Sequence, residues 1–183
     1  MNRLNVCVLG DSNCGKTCIL LRETRDIFEP QYIPTIQDYF ETRMVMNQKK
    51  WFLSIVDTSG KESLNSTKIS AIQSSNCFIL VYSIDSKNSY SKLEKYKSMI
   101  EAHTVVPNAP LILCANKSDL NENRVVSTEL GKSLAEKWNA SFFEVSAKQG
   151  CDEIKKAFQE LINLSILQNM EQNYDGDSCC LLM

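Results

Sequence analysis

The most constraining feature of this chain is a glycine-rich loop, G-D-S-N-C-G-K-T, at residues 10–17. The apolar run Leu4–Leu9 precedes it and the helix candidate Lys16–Arg25 follows, so a strand should enter the loop and a helix should leave it. In that context the spacing G-x-x-x-x-G-K-[ST] predicts a phosphate-binding loop. Backbone N–H groups, the helix N-terminus and Lys16 would neutralise phosphate oxygens, and the Thr17 hydroxyl could ligate Mg²⁺.

Short apolar runs alternate with longer amphipathic ones along the chain, which is typical of a mostly parallel sheet with helices on both faces. Between two strand candidates, Asn47-Gln48-Lys49 indicates a hairpin, so one edge strand should run antiparallel. Residues 62–74 are ambiguous and could form a frayed helix. The strand candidates are Leu4–Leu9, Asp38–Val45, Trp51–Val56, Phe78–Ser83, Leu111–Ala115 and Ser141–Glu144. The helix candidates are Lys16–Arg25, Asn88–Glu101, Thr128–Trp138 and Asp152–Leu167.

The chain of 183 residues has the length of one domain with a sizeable core. We predict a nucleotide-binding domain over residues 1–167 and a flexible tail over residues 168–183, where the sequence turns polar and loses periodicity. A net charge of -2 gives no reason to expect nucleic acid as a partner. The sequence shows neither a membrane-helix run nor a secretory leader, so we expect reduced cysteines in a cytosolic setting.

A second motif, N-K-S-D at Asn116–Asp119, follows the fifth strand candidate. An ionised Asp119 only accepts hydrogen bonds, and guanine offers two adjacent donors to such a carboxylate. Adenine presents an acceptor at N1 instead, and a polar mismatch of this kind is rejected by orders of magnitude. Together with the phosphate loop and S-A-K at Ser146–Lys148, the motif predicts GTP or GDP as the nucleotide.

These motifs, with Y-I-P-T-I at Tyr32–Ile36 and D-T-S-G at Asp57–Gly60, resemble those of Ras-superfamily small GTPases over essentially the whole chain. The resemblance implies a P-loop NTPase (small G-protein) fold with a six-stranded mostly parallel sheet and about five helices on both faces. The short segment from Asp119 to Ser146 and the C-terminal C-a-a-X box are similar to the Ras branch rather than to Rho or Rab proteins. The sequence G-D-S at Gly10–Ser12 is Rab-like.

The resemblance also implies roles for single residues. Phe28 would stack on guanine, and the Ala147 N–H would bond the guanine oxygen. Thr35 would ligate Mg²⁺ and sense the γ-phosphate, Asp57 would hold Mg²⁺ through water, and the Gly60 amide would bond the γ-phosphate. The expected metal ligands are Thr17, Thr35 and Asp57. The expected nucleotide-binding residues are Gly10, Asp11, Ser12, Asn13, Cys14, Gly15, Lys16, Thr17, Cys18, Phe28, Tyr32, Thr35, Asp57, Gly60, Asn116, Lys117, Asp119, Ser146, Ala147 and Lys148.

An effector-binding region is expected from the same resemblance. It comprises Tyr32, Ile33, Pro34, Thr35, Ile36, Gln37, Asp38, Tyr39 and Phe40. Ile33, Gln37 and Tyr39 depart from the usual Ras effector sequence, so the identity of the effector does not carry over. The expected partners are effector proteins, a guanine-nucleotide exchange factor, a prenyltransferase and membrane lipid, whereas a GTPase-activating protein remains open.

Lys61 follows D-T-S-G at the position where the resemblance implies a glutamine that orients the attacking water. A glutamine can accept a hydrogen bond from that water and donate one to the transition state. Lysine has three donors and no acceptor, so it cannot do both. Ser59 and Ser12 add side chains near the γ-phosphate, where Ras proteins keep alanine and glycine. We therefore predict a GTPase with slow intrinsic hydrolysis, acting as a long-lived GTP-bound membrane switch. The residues assigned to catalysis are Lys16, Thr35, Gly60 and Lys61.

Other interpretations of Lys61 remain open. Its ammonium group could approach the γ-phosphate as a built-in cation and keep the enzyme active. The protein could instead be an essentially non-hydrolysing, constitutively GTP-bound interaction module that is regulated by abundance or lipidation. Lys61 could also be a solvated residue of a mobile segment without a role of its own. A P-loop kinase or ATPase is a more distant interpretation, which would require tighter binding of ATP than of GTP.

The chain ends in Cys180-Leu181-Leu182-Met183, a C-a-a-X box whose final Met favours farnesylation of Cys180. One lipid chain gives only marginal membrane binding, so a second signal is expected. Because no Lys or Arg occurs after Lys156 and the tail is acidic, Cys179 is the candidate, as a palmitoylation site. The alternative is a disordered end that happens to carry two cysteines. We expect a lipid anchor at the cytoplasmic face of a membrane, with the plasma membrane preferred.

Overall fold

The computed structural model describes residues 2–31 and 33–177 of the chain, excluding the side chains of Glu62 and of residues 171–177. Within these ranges the chain forms one six-stranded sheet and six α-helices. The strands are β1 Asn2–Gly10, β2 Gln37–Met46, β3 Lys49–Thr58, β4 Cys77–Ser83, β5 Leu111–Asn116 and β6 Ser141–Glu144. The helices are α1 Lys16–Arg25, α2 Asn65–Gln73, α3 Lys87–Ser91, α4 Leu93–His103, α5 Thr128–Lys137 and α6 Asp152–Asp177, with 3₁₀ turns at Glu62–Leu64 and Ser118–Asn123.

The sheet has the strand order β2-β3-β1-β4-β5-β6, and every pair is parallel except β2 with β3. The two antiparallel strands are joined at Asn47 and Gln48, which both have positive φ, as a tight hairpin requires. The α/β class, the mostly parallel six-stranded sheet and the antiparallel edge hairpin are therefore confirmed.

Alternate residues of β1 enter two separate hydrophobic cores, one on each face of the sheet. Val6 and Val8 pack with residues of α1 and α6, whereas Cys7 and Leu9 pack with residues of α2, α4 and α5. All seven residues of β4 are buried, which is why its sequence is a continuous apolar run rather than an alternating one.

Two expectations about helices need correction, and one ambiguous segment is resolved as helical. The helix predicted over Asn88–Glu101 is divided into α3 and α4 at Lys92, and the buried Ser89 hydroxyl, within hydrogen-bond distance of the Ser83 and Ser86 carbonyls, ties α3 to β4. The ambiguous residues 62–74 form a 3₁₀ turn followed by α2. The helix expected to end at Leu167 continues to Asp177, since Gln168 donates to the carbonyls of Pro107 and Asn108 and holds the helix beyond its apolar part.

Both the phosphate loop and the N-K-S-D motif follow the carboxyl ends of parallel strands. β1 ends at Gly10 and β5 ends at Asn116, two strands away in the sheet. Ligands of open α/β sheets bind at this edge. No helix in the described part of the chain is both long and apolar enough to span a membrane.

Candidate nucleotide-binding site

The phosphate loop closes around the buried side chain of Lys16. Its Nζ donates to the carbonyl oxygens of Gly10 at 3.0 Å and Asp11 at 2.8 Å. Gly15 precedes α1 with φ of 90°, and a Cβ at this residue would lie 2.2 Å from Nδ2 of Asn116. Only glycine tolerates both the left-handed backbone and this close approach. The loop therefore presents a lysine and a helix N-terminus to the cleft, as phosphate binding requires.

Three oxygen-bearing side chains from different segments meet beside the loop. The Thr17 hydroxyl donates to Oδ2 of Asp57 at 2.5 Å and lies 3.0 Å from the Thr35 hydroxyl. Asp57 is fully buried, and its Oδ1 has no hydrogen-bond partner among the described residues. Buried carboxylate oxygens are costly without a partner, and Mg²⁺ prefers oxygen ligands. The residues present therefore fit Mg²⁺, which when bound would neutralise phosphate charge.

Burial raises the pKa of Asp57 from its ordinary value to about 6, although the hydrogen bond from Thr17 and the charge of Lys16 oppose the shift. Removing water disfavours the ionised form of a carboxyl group. A bound cation acts in the opposite direction and favours the carboxylate. A cation bound together with the phosphates would therefore keep the Asp57 carboxyl group ionised.

The base-side segments are joined by Asn116. Its Nδ2 donates to the Cys14 carbonyl at 2.9 Å, and its Oδ1 accepts from the Ala147 N–H at 3.4 Å. The Ser146 hydroxyl donates to Oδ1 of Asp119 at 2.6 Å, which orients the carboxylate predicted to pair with guanine. The structure thus brings N-K-S-D, S-A-K and the phosphate loop together.

A cleft of about 370 Å³ runs between these segments. Most of the predicted nucleotide-binding residues line it: Ser12, Asn13, Gly15, Lys16, Thr17, Cys18, Phe28, Thr35, Gly60, Asn116, Lys117, Asp119, Ala147 and Lys148. The predicted residues that are described but do not line the cleft are Gly10, Asp11, Cys14, Asp57 and Ser146. Tyr32, together with Cys179 and Cys180, lies outside the described residues.

Several lining residues were not predicted: Leu21, Glu29, Pro30, Gln31, Thr58 and Leu120. Glu29-Pro30-Gln31 connects Phe28 to the segment of Thr35, both of which were predicted, and Leu120 directly follows N-K-S-D. Thr58 lies inside the D-T-S-G motif, whereas the other five belong to no motif and could have been found only from their position in the chain.

The carboxylate of Asp11 is turned away from the cleft. Its Oδ2 accepts from Nδ2 of Asn88 at 2.7 Å, and its Oδ1 lies 3.0 Å from Nζ of Lys92. Asp11 is only 7% exposed. This side chain therefore links the phosphate loop to α3 and α4, and only its backbone is available to a nucleotide.

The segment around Lys61 is held by its backbone. The Lys61 N–H donates to Oγ of Ser59 at 3.2 Å, and the Lys61 carbonyl accepts from Nζ of the buried Lys68 at 2.6 Å. A Cβ at Gly60 would lie 2.1 Å from the Ser12 amide nitrogen. The turn therefore packs directly on the phosphate loop, whereas the side chain of Lys61 is exposed and does not line the cleft.

The predicted effector region is largely exposed. Ile33, Ile36 and Tyr39 each expose about two thirds of their surface, whereas Phe40 is buried with the Arg25 guanidinium over its ring. From Gln37 onward the region is part of β2. The Ser59 N–H donates to the Ile36 carbonyl at 3.1 Å, so this region touches the segment that holds Lys61.

The fold and the site together define a P-loop nucleotide-binding protein with a guanine-type base motif. Residues 5–167 match the model of the Ras family, and the chain belongs to this family of GTPases. It is 34% identical over 176 residues to the GTP-binding protein Di-Ras1 of Homo sapiens, covering 96% of this chain and 88% of that protein. It is 32% identical over 179 residues to the Ras-like protein rasX of Dictyostelium discoideum, covering 96% of this chain and 84% of that protein.

Proposed function

We propose that this Ras-family GTPase is a lipid-anchored guanine-nucleotide switch that hydrolyses GTP slowly and binds effector proteins in its GTP-bound state. The observation that carries the proposal concerns Lys61: Ser59 and Lys68 hydrogen-bond its two backbone polar groups, and its exposed side chain does not line the cleft. An exchange factor would load the nucleotide, and Thr17, Thr35 and Asp57 would hold Mg²⁺.

Slow hydrolysis follows from the chemistry of this position. The attacking water needs an acceptor to orient it, and a lysine side chain offers donors only. Gly60 remains in place against Ser12 to contact the γ-phosphate, so sensing of GTP and its hydrolysis depend on different residues. Ras proteins hydrolyse GTP with an intrinsic rate of about 3–5 × 10⁻⁴ s⁻¹. A further tenfold loss, equivalent to about 1.4 kcal/mol, would extend the GTP-bound lifetime to hours.

A single-turnover experiment tests the proposal. The purified chain is loaded with GTP, and phosphate release is followed for the wild type, Lys61→Gln and the matched control Lys132→Gln, which changes an exposed lysine of α5. We expect slow hydrolysis in the wild type, faster hydrolysis in Lys61→Gln and no change in the control.

The other outcomes select the competing functions. Fast wild-type hydrolysis that falls in Lys61→Gln would overturn the proposal and make Lys61 a built-in cation. Absence of hydrolysis in both proteins would instead favour a non-hydrolysing, constitutively GTP-bound interaction module. Tighter binding of ATP than of GTP would remove the assignment as a guanine-nucleotide switch.

The lipid anchor is proposed on the C-a-a-X box alone, with farnesyl on Cys180 and palmitoyl on Cys179. Cell fractionation of Cys180→Ser tests it, with Cys151→Ser, a free cysteine at the start of α6, as the control. We expect release from membranes for Cys180→Ser only. Persistent membrane binding of that variant would contradict the anchor.

A further inference from the structure

Four cations gather around the β2–β3 hairpin and the first residues of β1, at the end of the sheet opposite the nucleotide cleft. We call Arg3, Arg43, Lys49 and Lys50, with the apolar Val45 and Phe52, the strand-end cluster. All four cations are exposed, and Val45 exposes 70% of its surface.

Strand register places most of this cluster on one face of the sheet. Arg43 and Arg3 are both paired with Phe52, and Val45 is paired with Lys50 in the next row. Residues in one row of a sheet share a face. The guanidinium of Arg3 lies 5.4 Å from the centre of the Phe52 ring. The face therefore combines three cations with two apolar side chains, and Lys49 adjoins it at the hairpin.

The cations of the cluster form no salt bridge with any acidic group that the structure describes. Within the described part of the chain, none of the four forms an ion pair, whereas Arg22, Lys92, Lys97, Lys117, Arg124, Lys137 and Lys156 all do. Glu41, two residues before Arg43 in β2, is the acidic group on the same face. A positive surface is thus concentrated at one end of a chain whose net charge is -2.

The tail leaves the domain at the same end of the sheet, from α6, which packs against the opposite face. Helix α6 begins just after Lys148, which lines the cleft, and its 26 residues span about 39 Å to the far end of the molecule. There Gln168 contacts the loop of Pro107 and Asn108 that precedes β5. Cys180 follows Asp177, the last described residue, by three positions, so the chain between them spans at most about 10 Å.

We propose that the strand-end cluster binds the anionic headgroups of a membrane and adds an electrostatic attachment signal to the lipid anchor of this protein. The inference rests on the proposed lipid anchor. One lipid chain binds membranes only marginally, and no Lys or Arg follows Lys156 to reinforce it. A juxtamembrane cation strengthens binding to an anionic leaflet by about 1 kcal/mol, roughly fivefold. The short segment between α6 and the lipidated cysteine would hold the cluster near the membrane surface. Binding of the cluster to headgroups then becomes an intramolecular event.

Vesicle binding of the farnesylated full chain tests the proposal. Phosphatidylcholine vesicles are compared with vesicles that contain about 30% phosphatidylserine, which mimics an anionic leaflet. The test variant carries Arg3→Gln, Arg43→Gln, Lys49→Gln and Lys50→Gln. The control removes the same charge from exposed lysines elsewhere, with Lys87→Gln, Lys132→Gln, Lys137→Gln and Lys156→Gln.

We expect the wild type and the control to bind the anionic vesicles at least tenfold more tightly than neutral ones, given about fivefold per contacting cation. The test variant should lose this preference but keep its binding to neutral vesicles, and about 0.5 M salt should abolish the preference in the wild type. Equal preference in the test variant and the wild type would overturn the proposal. A wild type that shows no preference for anionic lipid would also overturn the proposal. The cluster would then be assigned to an acidic protein partner.

The proposed lipid anchor and the proposed membrane binding by the cluster can be refuted independently. A chain that a prenyltransferase does not farnesylate, judged by mass, refutes the anchor. The unlipidated full chain at low salt on pure phosphatidylserine vesicles then still compares the test variant with its control. Binding that depends on the cluster supports the proposal without the lipid, and equal binding overturns it.

Discussion

Asp11 of the phosphate loop and Lys92 at the junction of α3 and α4 form an ion pair of 3.0 Å between segments 81 residues apart. Lys92 precedes α4 and keeps 30% of its side chain exposed, whereas the Asp11 side chain is 10% exposed. Because the Asp11 carbonyl also accepts from Lys16, one residue connects helix packing on one face of the sheet to the lysine of the phosphate loop.

Lys92→Met should therefore destabilise the fold. It leaves the carboxylate of Asp11 with Asn88 as its remaining side-chain partner, and an under-satisfied buried charge costs about 1–3 kcal/mol. Urea unfolding measures the loss. Lys137→Met breaks an ion pair with Glu94 whose side chains are 65% and 55% exposed, and it should change stability by less than about 1 kcal/mol. Equal losses in the two variants would contradict the structural role of Asp11.

Gly60→Ala should impair the discrimination between GTP and GDP. The new Cβ would lie 2.1 Å from the Ser12 amide nitrogen, so the turn must move away from the γ-phosphate position. Competition binding with a fluorescent nucleotide would show affinity for GTP falling more than affinity for GDP. Gly150→Ala is the matched control, since nothing lies within 4 Å of its Cβ. A Gly60→Ala protein that behaves like this control would refute the close packing.

Asp119→Ala should weaken GTP binding and remove most of the preference for guanine over adenine. The carboxylate provides the acceptors that guanine can satisfy, and discrimination by polar pairing reaches about 10⁴-fold or more. Ser146→Ala keeps the Asp119 carboxylate but removes the 2.6 Å hydrogen bond that orients it, together with the bond from the Gln149 N–H, and should cause a smaller loss. Calorimetric titration with GTP and ATP measures both. Retained guanine preference in Asp119→Ala would exclude this residue from base recognition.

Glu23, which does not line the nucleotide cleft, is expected to make the stability of the fold depend on pH. Burial raises its pKa from 4.5 to about 7, partly opposed by Lys155 of α6, and its Oε2 has no hydrogen-bond partner among the described residues. Between pH 4.5 and about 7 the folded chain binds more protons than the unfolded chain. Glu23 therefore lowers the stability of the fold as the pH rises through this window.

Glu23→Gln should therefore raise the melting temperature more at pH of about 8 than at pH of about 5, where the carboxyl group is already protonated in the folded chain. Thermal unfolding at the two pH values measures the difference. The exposed Glu153→Gln on the same helix as Lys155 serves as a comparison. An equal shift at both pH values would show that Glu23 ionises normally in the fold.

The fold was predictable because local sequence carries its main signals. The runs that became β1, β4 and β5 are apolar on both faces, and the loop at Gly10 fixes a strand before it and a helix after it. Helix ends were less predictable, because they depend on distant contacts. The end of α6 is held by carbonyls about 60 residues earlier in the chain, and no local pattern encodes that contact.

The site was predictable to the extent that motifs describe it. The sequence identified the loops that form the cleft, since they carry residues with defined chemistry. It did not reveal that the Asp11 side chain would leave the cleft for Lys92, because G-D-S is compatible with either direction. It also did not reveal that Lys68 would hold the Lys61 carbonyl, since a lysine in an ambiguous helix is usually solvated.

The bridge made by Asn116 fixes the length of ligand that the cleft accepts. Its amide joins Cys14 of the phosphate loop to Ala147 beside the base, and Gly15 leaves no space between the two segments. The separation of base and phosphates is therefore a property of the protein rather than of the ligand. A free purine or a free polyphosphate would occupy half of the cleft and forgo the gain that comes from linking the two parts at the correct spacing.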